Sequence, residues 1–262
     1  MPELIEICEL AARAGGQELL AWRGKFQARE KAPADLVTDA DLASQSAVRA
    51  EIATRFPHHL FLGEEASTRP EVSDDEFVWC VDPLDGTTNY IHDYPCYAVS
   101  VAVAKGHTLL AGAIFDPLAD DLYLAAQGAG AYCNGERLST SDVRTLGEAL
   151  VAVSLPPRVG PESADLQDLV RVIQFSQAVR RSGSAALNLA YVAHGRLDAF
   201  WATKIQPWDV GAGVLLVREA GGIVTGRDGT EFNLWRPHFA AAAGVELHGE
   251  LLHTLGPASI LP

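Results

Sequence analysis

The sequence is poor in cysteine, and its apolar runs are short. Four cysteines are scattered along the chain without C-x-x-C spacing or a neighbouring pair of histidines, so a zinc site is not expected. Cys80 and Cys96 have apolar neighbours and are predicted to be core thiols, in agreement with a reducing cytoplasm. Apolar stretches such as residues 97–104 fall well short of the roughly 18 residues that span a membrane. We therefore expect a cytoplasmic protein without a membrane segment.

The sequence also has few basic residues. Its 262 residues include 20 Lys and Arg against 34 Asp and Glu, which gives a formal net charge of −14. This acidic balance argues against nonspecific binding to nucleic acid or to an anionic membrane. The first residues, Met1, Pro2 and Glu3, lack the positive charge of a signal peptide. An acidic chain that binds an anionic substrate needs local positive charge, which divalent cations and helix N-termini would supply.

The most informative segment has the sequence F-V-W-C-V-D-P-L-D-G-T-T-N. Its apolar run from Phe77 to Val81 predicts a buried strand that ends where Asp82 projects from it, and Pro83 is expected to stop further strand pairing. Asp82 and Asp85 then flank a short turn and can direct both carboxylates at one point. Mg²⁺ and Mn²⁺ prefer oxygen ligands of this kind.

The residues that follow favour phosphate binding. Gly86 has no side chain, so a phosphate can approach the backbone closely. Thr87 and Thr88 are suited to open a helix whose free N–H groups would bind that anion. A surface turn alone would need neither the second aspartate nor the paired threonines. We therefore interpret the segment as a site for divalent cations and phosphate.

With these residues the chain closely resembles the inositol monophosphatase family, over nearly its whole length. The resemblance rests on segments that occur in the family's order: D-L-V-T-D-A-D at 35–41, G-E-E at 63–65, D-P-L-D-G-T-T-N at 82–89, G-S-A-A at 183–186, and W-D at 208–209 with A-G-G at 220–222. It implies a Mg²⁺-dependent phosphatase of small phosphorylated metabolites, often lithium-sensitive and homodimeric. It also implies an α/β fold, a layered α-β-α-β-α sandwich.

The sequence pattern is compatible with that fold in two parts. The first part, residues 1–140, is predicted to carry two amphipathic helices over an antiparallel sheet. The first predicted helix ends at Gly24, and the second runs from about Asp41 to Arg55. The predicted strands of this part are 77–81, 98–105, 109–115 and 121–125. The second part, residues 141–262, alternates strands and helices, with strands at 149–154, 197–202 and 223–225 and helices at 163–174, 184–194 and 208–220.

The resemblance assigns ligands for two metal ions. Glu64, Asp82 and the backbone carbonyl of Leu84 would hold the first Mg²⁺, and Asp82, Asp85 and Asp209 the second, with Asp82 as the bridge. A third, weaker ion near Glu64 also occurs in the family, and Mn²⁺ is a possible substitute. Read from the residues alone, Asp209 could equally be a first-turn acid that interacts with a helix dipole.

The resemblance also assigns the groups that activate water. Thr87 and Asp41 would orient and activate the attacking water, while Asp39 is left as a helix cap or surface acid. Lys31 precedes a loop, where a lysine is most often solvated, and is not assigned to the site. The sequence shows no covalent nucleophile with an adjacent base, so direct in-line attack by water is favoured.

The resemblance implies substrate contacts in both halves of the chain. The predicted phosphate- and substrate-binding residues are Glu64, Leu84, Asp85, Gly86, Thr87, Gly183, Ser184, Ala185 and Asp209. Many inositol-specific members carry a glutamate seven residues before the ligand at Asp209, where this chain has Ala202. Loss of a buried polar contact of this kind is worth about 1–3 kcal/mol, which weakens the case for strict inositol preference.

Inositol monophosphate is the first candidate substrate, and several alternatives stay open. Histidinol phosphate is hydrolysed by relatives of the family. Fructose 1,6-bisphosphate and nucleotide 3′-phosphates would call for additional basic residues, and the second half of the sequence offers no obvious cluster beyond Arg180 and Arg181. A regulatory binding protein on the same fold is the non-enzymatic alternative, although such a protein would not need every carboxylate.

Overall fold

The computed structural model describes residues 2–32, 35–66, 70–156 and 158–256. The helices are α1 Pro2–Trp22, α2 Asp39–Arg55, α3 Thr87–Ile91, α4 Ala164–Phe175, α5 Ala185–Ala193, α6 Pro207–Glu219 and α7 Val245–Leu255, with a 3₁₀ turn at Leu146–Glu148. The strands are β1 Ala28–Ala32, β2 Asp35–Thr38, β3 Leu60–Gly63, β4 Phe77–Asp85, β5 Ala98–Lys105, β6 Thr108–Asp116, β7 Asp121–Ala126, β8 Gly130–Cys133, β9 Glu136–Arg137, β10 Leu150–Ser154, β11 Ala178–Arg180, β12 Ala199–Ala202, β13 Ile223–Gly226 and β14 Phe239–Ala242.

The described strands form two large sheets and one hairpin. The first sheet has seven strands in the order β3-β4-β5-β6-β7-β8-β9, and its neighbours are antiparallel except for the parallel pair β3 and β4. The second sheet has five strands in the order β11-β10-β12-β14-β13, in which β10 runs parallel to both of its neighbours. Strands β1 and β2 pair with each other as a separate antiparallel hairpin.

The first sheet is covered by helices on both faces. Because successive side chains of a strand point to opposite faces, Trp79 and Val81 of β4 pack with α1 and α2. Val78 and Cys80 of the same strand join the core formed with α5 and α6. Burial on both faces explains why β4 is a continuous apolar run and not an alternating one.

The second sheet is also buried on both faces. Phe200 and Ala202 of β12 face the core shared with α5 and α6. Ala199 and Trp201 face the opposite core, which includes Val172 of α4 and residues of α7. The order of layers is α1/α2, first sheet, α5/α6, second sheet, α4/α7. The predicted α-β-α-β-α sandwich is therefore confirmed.

Strand β4 is longer than the sequence predicted. We expected Pro83 to end strand pairing after Asp82, but β4 continues through Asp85, which pairs with Ala98 of β5. The register shifts between Asp82 and Asp85, so the proline lies in a β-bulge, where the lack of an N–H costs no ladder bond. The two aspartates are thus held at the end of a strand, and not on a free turn.

The sequence prediction also missed short elements. It did not predict β3, the strand that pairs with β4, nor helix α7, which covers the second sheet. All four cysteines are free and buried, among them Cys80 and Cys96, which were predicted to be core thiols. Within the described ranges, no helix has both the length and the apolar character to cross a membrane. The domain boundary at residue 140 stays a prediction, and residues 1 and 257–262 of the predicted domains lie outside the described residues.

Candidate active site

A cleft of about 450 Å³ opens at the end of β4 between the two large sheets. Its walls come from β4, α3, the end of β10, the loop before α5 and the loop between β12 and α6. The predicted site residues that line it are Glu64, Asp82, Leu84, Asp85, Gly86, Thr87, Gly183, Ala185 and Asp209. Asp41 and Ser184 do not line it, because both side chains are fully buried behind its wall.

Three acidic residues from separate elements meet at the cleft. Glu64 directly follows β3, and the parallel pairing of β3 with β4 places it beside Asp82, with the Glu64 N–H 3.1 Å from the Val81 carbonyl oxygen. Asp209 lies in the first turn of α6. The Asp82 carboxyl group is within hydrogen-bonding contact of both Glu64 and Asp209. The fold thus brings together acids that are far apart in sequence.

The electrostatics of these acids follow from burial and mutual repulsion. Burial raises the pKa of Asp82 well above its ordinary value, and the charges of Glu64, Asp85 and Asp209 raise it further. The pKa of Asp209 is raised by burial and then by Glu64 and Asp85. Burial raises the pKa of Glu64 to about 7, although Lys31 acts in the opposite direction. The ionised form of these acids is therefore unfavourable in the folded chain, and a divalent cation would stabilise it.

Each of the three carboxylates also has a protein donor. Asp82 Oδ1 accepts the Leu84 N–H at 3.0 Å, and Asp209 Oδ2 accepts the Gln206 N–H at 2.8 Å. Lys31 Nζ donates to Glu64 Oε1 at 3.0 Å. In the described part of the chain, no three His, Cys, Asp or Glu side chains are grouped so as to hold a metal ion as they stand. The donor set, carboxylate oxygens with the Leu84 carbonyl, nevertheless has the chemistry that suits Mg²⁺.

Asp85 connects β4 to the N-terminus of α5. Its Oδ2 atom accepts hydrogen bonds from Ser184 Oγ at 2.5 Å and from the Ala186 N–H at 2.7 Å, and its Oδ1 atom accepts the Ala185 N–H at 3.2 Å. Burial raises the pKa of Asp85 to about 6, although these hydrogen bonds favour the ionised form. The N–H groups of Ala185, a predicted substrate-binding residue, and of its neighbour Ala186 thus bind an acidic side chain of the protein.

Thr87, on the cleft wall, forms a hydrogen-bonded pair with Asp41, which is buried behind that wall. Thr87 Oγ1 lies 3.2 Å from Asp41 Oδ1 and 3.2 Å from the Leu84 carbonyl oxygen. Asp41 Oδ2 accepts the Thr38 N–H and hydroxyl at 2.7 and 2.6 Å, in the capping box of α2. Burial raises the pKa of Asp41 to about 6. The Thr87 hydroxyl hydrogen can serve only one acceptor, so its lone pairs stay available to a water molecule in the cleft.

Two glycines allow close packing around the site. Gly86 has a φ of 100° and caps α3, and a Cβ atom there would lie 2.9 Å from the Cys96 carbonyl oxygen. Gly183 has a φ of 91°, and a Cβ atom there would lie 2.8 Å from Asn89 Nδ2. Asn89 donates through Nδ2 to the carbonyl oxygens of Cys96 and Ser182, at 2.6 and 2.9 Å. Both positions therefore require glycine for conformation and for space.

Sequence reasoning missed Lys31 and Asn89. Lys31 was not assigned to the site, but it forms ion pairs with Glu64 and Glu65, at 3.0 and 2.5 Å. Asn89 ties α3 to the loop before α5, although only its neighbours were assigned. Asn89 lies within the motif at 82–89, a signal that could have identified it. Lys31 lies 33 residues from Glu64, and no local pattern joins the two.

Comparison with known proteins agrees with the fold and the site. Residues 2–258 match the profile of the inositol monophosphatase family. The chain is 39% identical over 86% of its length to an inositol-1-monophosphatase of Mesorhizobium japonicum, of which it covers 86%. It is 39% identical over 86% of its length to the Nus factor SuhB of Escherichia coli, of which it covers 85%. A crystal structure of the extragenic suppressor protein suhB from Bartonella henselae superposes with a TM-score of 0.90 at 35% identity, covering 97% of this chain and 98% of that one.

The layered fold and the acidic cleft are those of a phosphoric monoester hydrolase. The chain belongs to the inositol monophosphatase family.

Proposed function

We propose that the protein hydrolyses a phosphate monoester of a small metabolite in the presence of Mg²⁺, with inositol monophosphate as the first candidate substrate. The observation that carries this proposal is the meeting of Glu64, Asp82 and Asp209 at one cleft, from β3, β4 and α6. A binding protein has no need for three mutually repelling acids, which cost stability unless a cation lies among them. The Mesorhizobium relative is called an inositol-1-monophosphatase, which supports the first candidate.

The proposed metal ligands are carboxylates and one backbone carbonyl. Glu64, Asp82, the Leu84 carbonyl, Asp85 and Asp209 would hold two or three Mg²⁺ ions, with Mn²⁺ as a possible substitute. When bound, Mg²⁺ lowers the pKa of water and neutralises charge on the phosphate and on the leaving oxygen. Asp85 has a second function, because its bonds to Ser184 and to α5 fix the position of the second half of the chain relative to β4.

Thr87 and Asp41 would hold the attacking water. Thr87 Oγ1 lies on the cleft wall, and its hydrogen points to Asp41 Oδ1 or to the Leu84 carbonyl oxygen. The hydroxyl oxygen can then accept a hydrogen bond from water and orient a lone pair of that water toward phosphorus. Asp41 is itself held by Thr38, so the pair has little freedom to rotate. Such orientation is how a phosphatase without a covalent nucleophile gains rate.

The test is phosphate release from inositol 1-phosphate, histidinol phosphate, fructose 1,6-bisphosphate and adenosine 3′,5′-bisphosphate, with Mg²⁺ and with EDTA. We expect turnover only with the metal, and a fall in kcat of at least about 100-fold in Thr87→Val. Thr54→Val is the matched control, because Thr54 lies on the exposed face of α2 and bonds only the Ala50 carbonyl. Equal activity in EDTA, or full activity of Thr87→Val, would contradict the proposal.

A regulatory role is the second candidate, because the Escherichia coli relative is called a Nus factor. The variant Asp85→Asn distinguishes the enzymatic role from the regulatory role, provided that circular dichroism shows that the variant is folded. Loss of turnover in that variant, with turnover in the wild type, supports the enzyme. Absence of turnover by the wild type on the whole ester panel supports the binding role.

We further propose, from the family resemblance, a cytoplasmic homodimer that Li⁺ inhibits by replacing the more weakly held Mg²⁺. Sedimentation velocity tests the dimer, and a monomer at micromolar concentration would refute it. Lithium sensitivity that is unchanged in Asp209→Asn with residual activity would count against the assigned second metal site.

A further inference from the structure

One polar side chain interrupts the apolar face of β5 that packs toward α6. Ala98, Ala102 and Ala104 of this face join the core shared with α5 and α6, and Ser100 lies among them. Ser100 is fully buried, and it does not line the cleft. A buried hydroxyl group destabilises a fold unless it is hydrogen-bonded, and an alanine here would match its neighbours. Packing alone therefore does not explain the serine.

The Ser100 hydroxyl group bonds to the first turn of α6. Its Oγ atom donates to the Trp208 carbonyl oxygen at 3.1 Å, across 108 residues of sequence. A carbonyl oxygen has two lone pairs, so this bond adds to the one that a carbonyl makes within its own helix. The Trp208 carbonyl and the Asp209 N–H belong to one planar peptide group, which ends at the Cα atom of Asp209. Ser100 thus fixes the peptide group that carries Asp209.

Ser100 also lies directly opposite Asp82. The two residues are partners in the antiparallel pairing of β4 with β5. Partners of this kind project to the same face of the sheet, with their Cβ atoms about 4.5–5.5 Å apart. Ser100 is therefore fixed to Asp82 through the strand pairing and to the backbone at Asp209 through its hydroxyl group. It connects two acids whose carboxyl groups are in hydrogen-bonding contact.

Glycines at the packing surface allow a side chain as short as serine to reach α6. A Cβ atom added at Gly211 of α6 would lie 3.0 Å from the Cβ atom of Ala102 in β5. A Cβ atom added at Gly112 of β6 would lie 2.8 Å from the Cα atom of Ala212 in α6. Larger side chains at these positions would separate the helix from the sheet. Helix α6 therefore lies directly against β5 and β6.

The Asp82 side of the site has a support of its own. The Pro83 carbonyl oxygen, in the β-bulge that follows Asp82, accepts a hydrogen bond from Ser44 Oγ of α2 at 2.8 Å. Ser44 is also fully buried. The bulge is thus held from α2. The bond from Ser100 then holds the first turn of α6, with Asp209, relative to that bulge.

We propose, on the basis of the function proposed above, that Ser100 is a positioning residue for the metal site. Its hydroxyl group holds Asp209 at the distance from Asp82 at which both carboxylates reach one Mg²⁺ ion. Such sharing needs oxygens within about 2.1 Å of the ion, in a nearly octahedral arrangement. Two ionised carboxylates repel each other, so their approach needs support from the surrounding backbone. Hydrogen bonds that orient metal ligands in this way change metal affinity or activity by about 10- to 100-fold.

The test measures Mn²⁺ binding by electron paramagnetic resonance, which reports the free ion and needs no turnover. Ser100→Ala should weaken Mn²⁺ binding by about tenfold, because Asp209 is no longer fixed relative to Asp82. The melting temperature in EDTA should fall by less than about 4 °C, since the variant loses one hydrogen bond and leaves no buried donor unpaired. An unchanged dissociation constant for Mn²⁺ overturns the proposal.

Thr140→Val is the matched control. Thr140 Oγ1 also donates to a carbonyl oxygen far along the chain, that of Ala243, at 2.9 Å, and Thr140 does not line the cleft. Valine has the shape of threonine without its hydroxyl group. We expect the dissociation constant for Mn²⁺ to change by less than about twofold, because the lost bond is remote from the acids. Equal weakening in both variants overturns the proposal, since the cause would then be a general loss of structure.

Phosphate release gives a second readout that separates this proposal from the proposed function. Ser100→Ala should need about tenfold more Mg²⁺ than the wild type for half-maximal activity. An unchanged Mg²⁺ requirement in an active variant overturns the role of Ser100 and leaves the proposed function intact. If the wild type binds Mn²⁺ but hydrolyses no ester, the proposed function fails, and the binding comparison still tests Ser100. If the wild type binds no Mn²⁺, both proposals fail.

Discussion

Asp82 has opposite effects on stability and on the proposed catalysis. Its carboxyl group is 2% exposed and lies beside Glu64 and Asp209. Burial and the neighbouring acids raise its pKa, so ionised Asp82 destabilises the fold when no cation is bound. The same carboxylate would bridge two Mg²⁺ ions. Stability alone would favour an uncharged side chain at this position, and the proposed metal site is what requires the acid.

We predict that Asp82→Asn lowers kcat/KM by at least about 1,000-fold, because the amide is a poorer ligand for Mg²⁺. In EDTA at pH 7.5 the variant should be more stable than the wild type by about 1 kcal/mol or more, since a buried repulsive charge is removed. Urea unfolding measures the second quantity.

The control for this substitution is Asp116→Asn. Asp116 is also a buried aspartate with a raised pKa at the end of a strand, but its Oδ1 atom bonds the Leu118 and Ala119 N–H groups. We expect this variant to keep its activity. A similar loss of activity in both variants would show that Asp82 acts through folding and not through the metal site.

At the scale of elements, α5 is joined to β4 through one serine. Ser184 is the N-cap of α5, where its Oγ atom accepts the Leu187 N–H at 3.2 Å and donates to Asp85 at 2.5 Å. Ser184 was expected from the family resemblance to contact the substrate, and that assignment stays a prediction. The structure shows the hydroxyl engaged within the protein, so its effect on substrate would pass through Asp85.

Ser184→Ala should lower the free energy of unfolding by about 1–2 kcal/mol and lower kcat as well. The matched control is Ser163→Ala, which removes the N-cap of α4, where Ser163 Oγ accepts the Asp165 N–H at 3.1 Å. Both variants should lose stability, and only Ser184→Ala should lose activity. Equal kcat values for the two folded variants would refute the proposed link through Asp85.

A buried histidine of helix α7 forms hydrogen bonds with the second sheet. His248 Nε2 lies 3.1 Å from Thr225 Oγ1 and 3.3 Å from the Ala240 carbonyl oxygen. Burial lowers the pKa of His248 below its ordinary value of 6.5. A lowered pKa in the folded state means that the unfolded state binds the proton more readily. The stability contributed by this neutral histidine is fully present above pH 6.5 and is lost as the pH falls below it.

We predict that the wild type loses more thermal stability than His248→Gln between pH 7.5 and pH 5.5, both measured in EDTA. The raised pKa values of the cleft acids act in the opposite direction, but they are common to both proteins and cancel in the difference. An identical pH dependence of the melting temperature in the two proteins would contradict the prediction.

At the scale of the whole molecule, the proposed metal site would couple metal binding to folding. Its proposed ligands come from both halves of the chain, since Asp82 and Asp85 lie on the first sheet and Asp209 on α6. An ion that binds them binds the folded state and not the unfolded chain. Mg²⁺ should therefore stabilise the protein by about 2.7 kcal/mol at a concentration 100 times its Kd.

Thermal unfolding in Mg²⁺ and in EDTA checks this prediction, with Asp82→Asn as the variant in which the effect should largely vanish. NaCl at the same ionic strength is the control, because the net charge of −14 is also screened by salt. An equal rise in melting temperature with NaCl would show that screening, and not site binding, is the cause.

Much of the architecture was predictable because it depends on local patterns. The apolar runs of β5 and β10 and the amphipathic spacing of α1 identified strands and helices within a few residues of their observed bounds. The extension of β4 through Pro83 was not predictable, because the bulge depends on pairing with β5. The short strand β3 gave no strong periodic signal and is held by its pairing with β4. Helix α7 does have amphipathic spacing, with Leu247, Leu251 and Leu255 buried, and the sequence prediction overlooked it.

The sequence by itself determined the identity of the acids and their grouping into motifs, because the motif at 82–89 and the other family motifs depend on residue type and spacing. It did not determine which groups meet in space. Only the tertiary structure placed Glu64 and Asp209 beside Asp82, bonded Asp85 to Ser184, and brought Lys204 to the same cleft as Arg181. Contacts between residues far apart in sequence are decided by how the sheets and helices pack, and that packing cannot be predicted from local spacing.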